Sequence, residues 1–211
     1  FKNIEDKNSE PMYYENLPFR FDTRGIIYNK RAYVYKVNIQ TKKFTKIIDG
    51  DTKNIISIES LVQGDKGLVL SFDQYNSKGT MLEEKLGAIE GSKIKEIYSK
   101  GSMGNLFYYE DELHAVGMRK RFDWPTNTTV LKISNTGKVS YKYRSFDRNI
   151  VKAEVNKAIL YFLYEDSGKT LLRDGTNNID LINSEVTIKD FAFNNEQTFV
   201  IANSFSNPDE I

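Results

Sequence analysis

Continuous apolar runs recur along the chain at a nearly constant spacing. Each run is followed by a loop and then by two further segments that alternate apolar and polar residues. Successive runs start roughly 45 residues apart, which is the period of the four-stranded blades of β-propellers. The four runs cover residues 67–72, 112–118, 158–164 and 198–204.

The segments around each run have the patterns of β-strands. A run that is apolar throughout is typical of a strand buried on both faces, whereas alternation is typical of a half-exposed strand. Short acidic or amide-rich turns separate the runs from the strands before them, as at residues 110–112, and such turns indicate hairpins. The outermost strands are predicted at residues 43–48, 93–98, 139–143 and 179–182.

This pattern predicts an all-β fold with almost no helix, since no window of about a dozen residues keeps a helical period. We expect a β-propeller of four-stranded antiparallel blades, with about four to five blades present in one partial propeller domain that covers residues 1–211. Because propellers close by pairing around a ring, we expect sequence outside this chain to supply the remaining blades.

Composition and charge argue against several classes of function. The chain has 30 basic and 29 acidic residues and a formal charge of +1, which offers no field to attract nucleic acid or an anionic membrane. It has no cysteine, which excludes disulfides, a thiolate metal site and a cysteine nucleophile. We expect no nucleic-acid partner, no membrane partner, no cofactor and no metal. No targeting segment is evident, and we expect a cytoplasmic location.

Three stretches carry a family resemblance. The first contains EPMYYE at residues 10–15 and continues to residue 37. The second is LYFLYEDSGKTLLRDG at residues 160–175, and the third is SFSNPDEI at residues 204–211. In this order they resemble the loop between blades, the blade core and the late blade strand in the non-catalytic propeller of acylaminoacyl-peptidase-like serine peptidases. These enzymes belong to the prolyl oligopeptidase family.

The resemblance implies a role beside a catalytic site that this chain does not contain. Members pair the propeller with an α/β-hydrolase domain of the same parent chain, in which a G-x-S-x-G serine is followed by Asp and His. This sequence has no G-x-S-x-G and only one histidine. The implied role is gating, in which short peptides reach the hydrolase site and folded proteins are excluded. Self-association into a homo-oligomer stays open.

The resemblance also implies a substrate-facing loop at residues 10–24. Its candidate residues combine aromatic surface with charges of both signs. They are Tyr13, Tyr14, Glu15, Arg20, Asp22 and Arg24. A structural interpretation, in which the aromatic residues only cover the adjacent sheet, stays open for each of them.

Three other patterns are explained more simply by structure than by chemistry. His114 lies in a predicted buried strand and is predicted to be a core or turn-capping residue rather than a general base. Residues 49–54 offer two carboxylates at calcium-loop spacing, but Lys53 stands where a third oxygen ligand belongs, so they predict a turn. The adjacent acids at residues 110–112 point to opposite faces and are predicted at a hairpin tip.

Two functions from different classes therefore follow from the sequence. The first is the accessory propeller of a serine peptidase, which gates access to a hydrolase site outside this chain. The second is a free-standing propeller that binds a protein or a glycan. A complete reading frame would separate them, because only the first predicts a G-x-S-x-G serine followed by Asp and His.

Overall fold

The computed structural model of the protein describes residues 31–65, 67–78, 81–120, 127–143, 145–182, 186–194 and 196–204, together with the backbone of residues 20–21 and 25–26. The described residues form strands almost throughout. Residues Gly50–Lys53 form one short helix, α1. Its N-cap is Asp49, whose side chain accepts a hydrogen bond from the Asp51 N–H. Among the described residues, no helix has the length and apolar character that crossing a bilayer requires.

Three antiparallel four-stranded sheets, each made of consecutive strands, form the centre of the structure. Sheet I consists of β5 (Ile55–Gly64), β6 (Gly67–Tyr75), β7 (Leu82–Glu90) and β8 (Lys93–Tyr98). Sheet II consists of β9 (Ser102–Tyr109), β10 (Glu112–Met118), β11 (Thr129–Ile133) and β12 (Val139–Tyr141). Sheet III consists of β13 (Ile150–Asn156), β14 (Ile159–Asp166), β15 (Lys169–Asp174) and β16 (Ile179–Asp180).

Two-stranded sheets flank this centre. The N-terminal half-sheet consists of β3 (Val34–Val37) and β4 (Phe44–Ile48), and the C-terminal half-sheet consists of β17 (Thr187–Phe193) and β18 (Thr198–Asn203). A further ribbon pairs β1 (Arg20–Phe21) with β2 (Gly25–Ile26). The four apolar runs of the sequence therefore become β6, β10, β14 and β18, each the second strand of its sheet.

Hairpin turns with left-handed backbone join the first and second strands of sheets II and III. Glu110 and Asp111 have φ of 53° and 59°, and Lys157 and Ala158 have φ of 48° and 61°. Two consecutive residues in this conformation match the right-handed twist of the strands that they connect. The tight turns explain why the acidic residues at 110–112 lie at a hairpin tip, as the sequence predicted.

Successive sheets pack face to face through apolar layers, and the second strand of each sheet contributes to two of them. In β10, Leu113 and Ala115 pack in the layer shared with sheet I, while Val116 packs in the layer shared with sheet III. In β14, Phe162 faces sheet II and Leu163 faces the C-terminal half-sheet. Burial on both faces is the physical reason that these strands read as continuous apolar runs.

Polar side chains also link the first strands of neighbouring sheets. The N–H of Leu106 in sheet II donates to Oγ of Ser60 in sheet I over 2.9 Å. The N–H of Ala153 in sheet III donates to Oδ1 of Asn105 in sheet II over 2.5 Å. These bonds satisfy backbone groups beside the strand irregularities, and they fix the first strands of successive sheets against each other.

A charged link joins sheet III to the C-terminal half-sheet. The Lys152 ammonium lies 2.6 Å from Oδ1 of Asp190 and 2.7 Å from Oε1 of Glu154, and it donates to the carbonyl of Phe191. The lysine is about three-quarters buried, so screening by water is weaker than for a surface pair. The link holds the half-sheet in register with sheet III.

The predicted all-β fold with blade-like sheets is confirmed, and the sheets do not close into a ring. Among the described residues, β3 pairs only with β4, and β18 pairs only with β17. The structure is thus an arc of three complete sheets with a half-sheet at each end.

We expect the layers between sheets to carry the stability of the arc. Ile150, which is fully buried between sheets II and III, should cost about 2–5 kcal/mol of unfolding free energy when replaced by alanine, since the substitution leaves a cavity. Ile39, which is 90% exposed, is the matched control, and Ile39→Ala should change the value by less than about 0.5 kcal/mol. Urea unfolding followed by circular dichroism measures both. Equal losses for the two variants would contradict this account of the core.

Candidate functional site

A cavity of about 400 Å³ opens between sheets I and II at one end of their strands. Its volume falls in the range of small-ligand sites. Turn residues from both sheets line it together with apolar residues at its floor. The polar lining residues are Gln63, Asp65, Glu90, Lys95, Tyr108, Asp111, Ser134 and Asn135. We call this space the inter-sheet cavity.

The strand order of the two sheets brings these residues together. In an antiparallel sheet of consecutive strands, the first and third turns lie at the same end. The cavity therefore receives the β5–β6 and β7–β8 turns of sheet I and the β9–β10 and β11–β12 turns of sheet II. Residues that are as much as 72 positions apart, such as Gln63 and Asn135, share its rim.

Tyr108 forms the wall of the cavity on the sheet II side. Its ring lies so close to Gly64 that a Cβ at that position would approach the Tyr108 Cζ to 2.2 Å, so the contact requires glycine. Partial burial, and then the nearby charge of Asp65, raise the pKa of the Tyr108 hydroxyl. The phenol is therefore neutral at physiological pH and can donate a hydrogen bond.

Among the described residues, carboxylates outnumber cations at the rim. Asp65, Glu90 and Asp111 line the cavity, and the one cation among the described lining residues is Lys95, which lies 3.4 Å from Glu90 in an exposed ion pair. Such a pair is weak in water and can open at little cost. These described groups are suited to hydrogen-bond donors or cationic groups.

A second cavity of about 320 Å³ lies between the same two sheets. Ser71 lines it and is nearly fully buried, and its Oγ has no hydrogen-bond partner within the described residues. Asp73, which also lines this cavity, accepts a hydrogen bond of 2.7 Å from Ser57.

His114 lies in the layer between sheets II and III and is fully buried, as the sequence predicted. Its Nδ1 is 3.0 Å from the carbonyl of Glu112, which places the proton on Nδ1, and its ring stacks on Phe107. Nε2 has no partner among the described groups. Burial, the largest influence, lowers the pKa of His114. The ring is a neutral core residue, and its ring and hydrogen-bond contacts among the described residues are with Phe107, Tyr109 and the Glu112 carbonyl, none of which is a serine, threonine or cysteine nucleophile.

The other charged patterns have structural partners. The sequence predicted a plain turn at residues 49–54, whereas Gly50–Lys53 form the short helix α1. Asp49 caps this helix, and Asp51 accepts a hydrogen bond of 2.6 Å from the Tyr33 hydroxyl. Glu110 binds Lys142 over 2.8 Å, and Glu112 is paired with Lys132. In the part of the chain that the structure describes, no three His, Cys, Asp or Glu side chains converge to hold a metal ion.

The predicted substrate-facing residues fall outside the side chains that the structure describes. Tyr13, Tyr14, Glu15, Asp22 and Arg24 lie outside the described residues. Only the backbone of Arg20 is described, in strand β1. Their role in substrate contact therefore stays a prediction.

Sequence reasoning missed the inter-sheet cavity. Its residues come from strand ends and from turns, and each hairpin taken alone is explained by its own geometry. The one local signal is the glycine before Asp65 at the end of β5, because a glycine in a strand marks a close approach by another group. The identity of that group, Tyr108, could not be read from the sequence.

Solved structures of similar fold include two groups of archaeal proteins. The structure aligns over 97% of this chain with an acylaminoacyl peptidase of Pyrococcus horikoshii, at 12% identity and a TM-score of 0.71, and covers 32% of that enzyme. A complex of acylaminoacyl peptidase with Z-Gly-Gly-Phe-chloromethyl ketone aligns over the same share of both chains at 13% identity and a TM-score of 0.69. The propeller domain of a trilobed protease of Pyrococcus furiosus, which has an open velcro topology, aligns over 84% of this chain and 71% of that domain at 13% identity and a TM-score of 0.55.

No protein-family model matches the sequence, and no curated protein matches it. At such identities the structural likeness shows the fold, which is that of part of a propeller. The fold confirms the propeller expected from the sequence, and the neighbours include the type of enzyme that the sequence resembles. The chain spans about a third of the acylaminoacyl peptidases that it matches.

The buried histidine predicts a stability that depends on pH. Because its pKa is lowered in the folded state, the unfolded chain binds a proton first as the pH falls, so the free energy of unfolding should be constant above about pH 7 and decrease below about pH 6.5. His114 is the only histidine of the chain, so His114→Leu should remove this decrease down to about pH 5.5, above the range in which carboxylates titrate. Urea unfolding of both proteins across this interval measures the effect. An equal slope in the two proteins would contradict the assignment.

Proposed function

We propose that this chain is the non-catalytic propeller portion of an acylaminoacyl-peptidase-like serine peptidase of the prolyl oligopeptidase family. One observation carries the proposal: the arc aligns with an acylaminoacyl peptidase over 97% of its own length but only 32% of the enzyme. The three sequence stretches that resemble this family support it independently. The hydrolase site would lie in an α/β-hydrolase domain of the same parent chain.

The chemistry of the chain supports a non-catalytic role. The sequence contains no G-x-S-x-G, and its only histidine is buried and contacts Phe107, Tyr109 and the Glu112 carbonyl among the described residues. A Ser-His-Asp mechanism needs a serine within hydrogen-bond reach of an accessible imidazole. Peptide hydrolysis in the parent protein therefore has to depend on residues outside this chain.

The packing of the arc supports the proposed gating role. The sheets are held face to face by buried apolar layers and by bonds between their first strands, so they form a firm wall rather than a hinged lid. A firm wall over a hydrolase site would admit short, extended peptides and exclude folded proteins. It would also limit the access of bulk water to the reaction. We place the parent protein in the cytoplasm.

The complete parent protein provides the direct test. It should react with a fluorophosphonate probe at one serine and hydrolyse short peptides, whereas the 211-residue chain alone should do neither, because it lacks the nucleophile. Intact-mass spectrometry measures the label, and replacing the labelled serine by alanine in the parent is the control. A parent protein that carries no reactive serine would contradict the proposal.

The loop at residues 10–24 is proposed to contact the substrate. Tyr14→Ala or Arg24→Ala in the parent protein should change the ratio of kcat/KM for long and short peptides by roughly 2- to 10-fold, the effect of losing a contact of about 1 kcal/mol. Tyr33→Ala, a tyrosine of the arc outside this loop, is the matched control. Unchanged ratios for both loop variants would remove this loop from the substrate path.

The inter-sheet cavity favours a second function, that of a free-standing module that binds a protein or a glycan. Its tyrosine, carboxylate and amide groups are of the kind that orient a polar ligand. Under this alternative, a peptide or glycan array should detect a ligand whose binding is lost with Tyr108→Ala and kept with Tyr33→Ala. Binding that is equal in the two variants, or absent, would exclude the cavity as the site.

A further inference from the structure

The second cavity between sheets I and II contains a buried hydroxyl group without a partner. Ser71 is 3% exposed, and its Oγ has no hydrogen-bond partner within the described residues. Burying an unpaired hydroxyl costs free energy, so such a group in a folded protein points to a bound group that supplies the missing hydrogen bond. The cavity that Ser71 lines has a volume of about 320 Å³, which is within the range of small-ligand sites.

The pairing of β6 with β7 places two carboxylates on the same face as this hydroxyl. Val69 packs against sheet II, whereas Phe72 packs against the N-terminal half-sheet. Because side chains alternate along a strand, Ser71 and Asp73 face sheet II as Val69 does. Glu84 lies directly opposite Asp73 in the unbroken register of the two strands, and it also lines the cavity. One wall of the cavity therefore combines a buried hydroxyl with two opposed carboxylates.

The described lining residues of the second cavity have more negative than positive charge. Two carboxylates opposite each other on neighbouring strands repel one another. Lys85 is the one cation among the described lining residues, but alternation along β7 places its side chain on the face opposite that of Glu84. Its Nζ lies 3.1 Å from Glu83 and 3.3 Å from Glu96, and neither of these residues lines the cavity. The charge of Lys85 is therefore committed outside the cavity.

A third carboxylate extends the acceptor surface to strand β5. Glu59 lines the cavity and is exposed, so the cavity is open to solvent on this side. The Ser57 Oγ lies 2.7 Å from Oδ2 of Asp73 and 3.1 Å from Oε1 of Glu59. A hydroxyl has a single proton, so it cannot fully satisfy both oxygens. The carboxylates therefore keep acceptor capacity for N–H groups that enter the cavity.

Sheet II contributes an apolar side chain to the opposite wall. Met103 lines the cavity, is buried, and belongs to the apolar layer between sheets I and II. Long cationic side chains place their methylene stem along such apolar surface while the charged end reaches polar groups. The second cavity thus suits a cation that has an apolar stem.

The described groups suit a planar cation better than a metal ion. A metal ion needs its ligands around one point, and among the described residues no three His, Cys, Asp or Glu side chains converge in that way. A guanidinium has five N–H donors spread over a rigid plane and no acceptor, so it can meet carboxylates that lie apart. An ammonium presents its three donors at a single nitrogen. The separated acceptors of the second cavity therefore favour a guanidinium.

We propose that the second cavity binds the guanidinium group of an arginine side chain in a peptide. The guanidinium N–H groups donate to the carboxylates of Asp73 and Glu84 and to Oγ of Ser71, and the methylene stem lies against Met103. Glu59 attracts the cation at the open side. This inference concerns the arc alone and does not rest on the proposed role beside a hydrolase domain.

Calorimetric titration with butylguanidinium tests the proposal. This compound reproduces the arginine side chain and contains no peptide bond that a hydrolase domain could cleave. The titration uses the full-length natural protein that contains this chain. Butylguanidinium should bind at a saturable site, whereas butylurea, which has nearly the same shape without the charge, should bind at least about 10-fold more weakly because charge-assisted hydrogen bonds are lost. Butylammonium should also bind more weakly than butylguanidinium.

Two variants locate the site on the wall formed by sheet I. Glu84→Gln removes one of the opposed carboxylate charges and should weaken the binding of butylguanidinium by about 10-fold or more. Glu83→Gln is the matched control, because Glu83 precedes Glu84 on the same strand but points to the other face. Its affinity should stay within about 2-fold of that of the unaltered protein. Equal effects of the two substitutions would overturn the proposal.

Ser71→Ala separates a binding role from a structural one. Without butylguanidinium, loss of an unpaired buried hydroxyl should leave the midpoint of thermal unfolding unchanged or raise it. The same variant should bind butylguanidinium more weakly, because one acceptor is lost. A lower midpoint together with unchanged affinity would show that the hydroxyl serves the fold, and it would overturn the assignment of Ser71. Circular dichroism checks that each variant keeps its strands.

Other occupants give different results. Equal binding of butylguanidinium and butylurea would show that the cavity accepts the stem alone and would overturn the proposal, as would the absence of binding. Binding of calcium chloride that is lost with Glu84→Gln, without binding of butylguanidinium, would identify a metal site in its place. None of these outcomes depends on a reactive serine, so failure here and failure of the proposed peptidase role are distinguishable.

Discussion

The structure depends on apolar contact between the faces of successive antiparallel sheets. A single sheet of this chain has two apolar faces, so it cannot shield them alone, and each sheet is stable only between two neighbours. The layers formed by Leu131 and Ala115 on one side of sheet II and by Val130 and Val116 on the other show this requirement directly. The order of the sheets along the chain and the incomplete shielding at the two ends both follow from it.

Two polar side chains in the layers show how polar groups are accommodated there. His114 is neutral and bonded through Nδ1 to the chain itself, and Lys152 is enclosed by two carboxylates where sheet III meets the next half-sheet. Other ion pairs lie at the surface, in strands as well as in turns, as between Lys85 and Glu96. The inter-sheet cavity combines strand residues with turn residues such as Asp65 and Asn135.

The same physical constraint bears on the proposed function. A wall of interlocked sheets is suited to shielding a reaction that occurs elsewhere, which is the role proposed beside a hydrolase domain. The buried layers between sheets I, II and III give this wall its cohesion.

Much of the fold could be predicted from the sequence, because the features concerned are local. The runs at residues 67–72, 112–118 and 158–164 are apolar since their strands are buried on both faces, and the hairpin at Glu110 and Asp111 follows from its turn residues. The burial of His114 followed from its strand in the same way.

Only the tertiary structure decided which surfaces meet. The contact between Gly64 and Tyr108 joins two sheets across 44 positions of the chain. Skipped residues in strand pairing, as between Ile48 and Lys46 of β4, change which side chains share a face. Composition and periodicity do not record where a skip occurs or which sheets meet, so the inter-sheet cavity emerges only when the strands are paired in space.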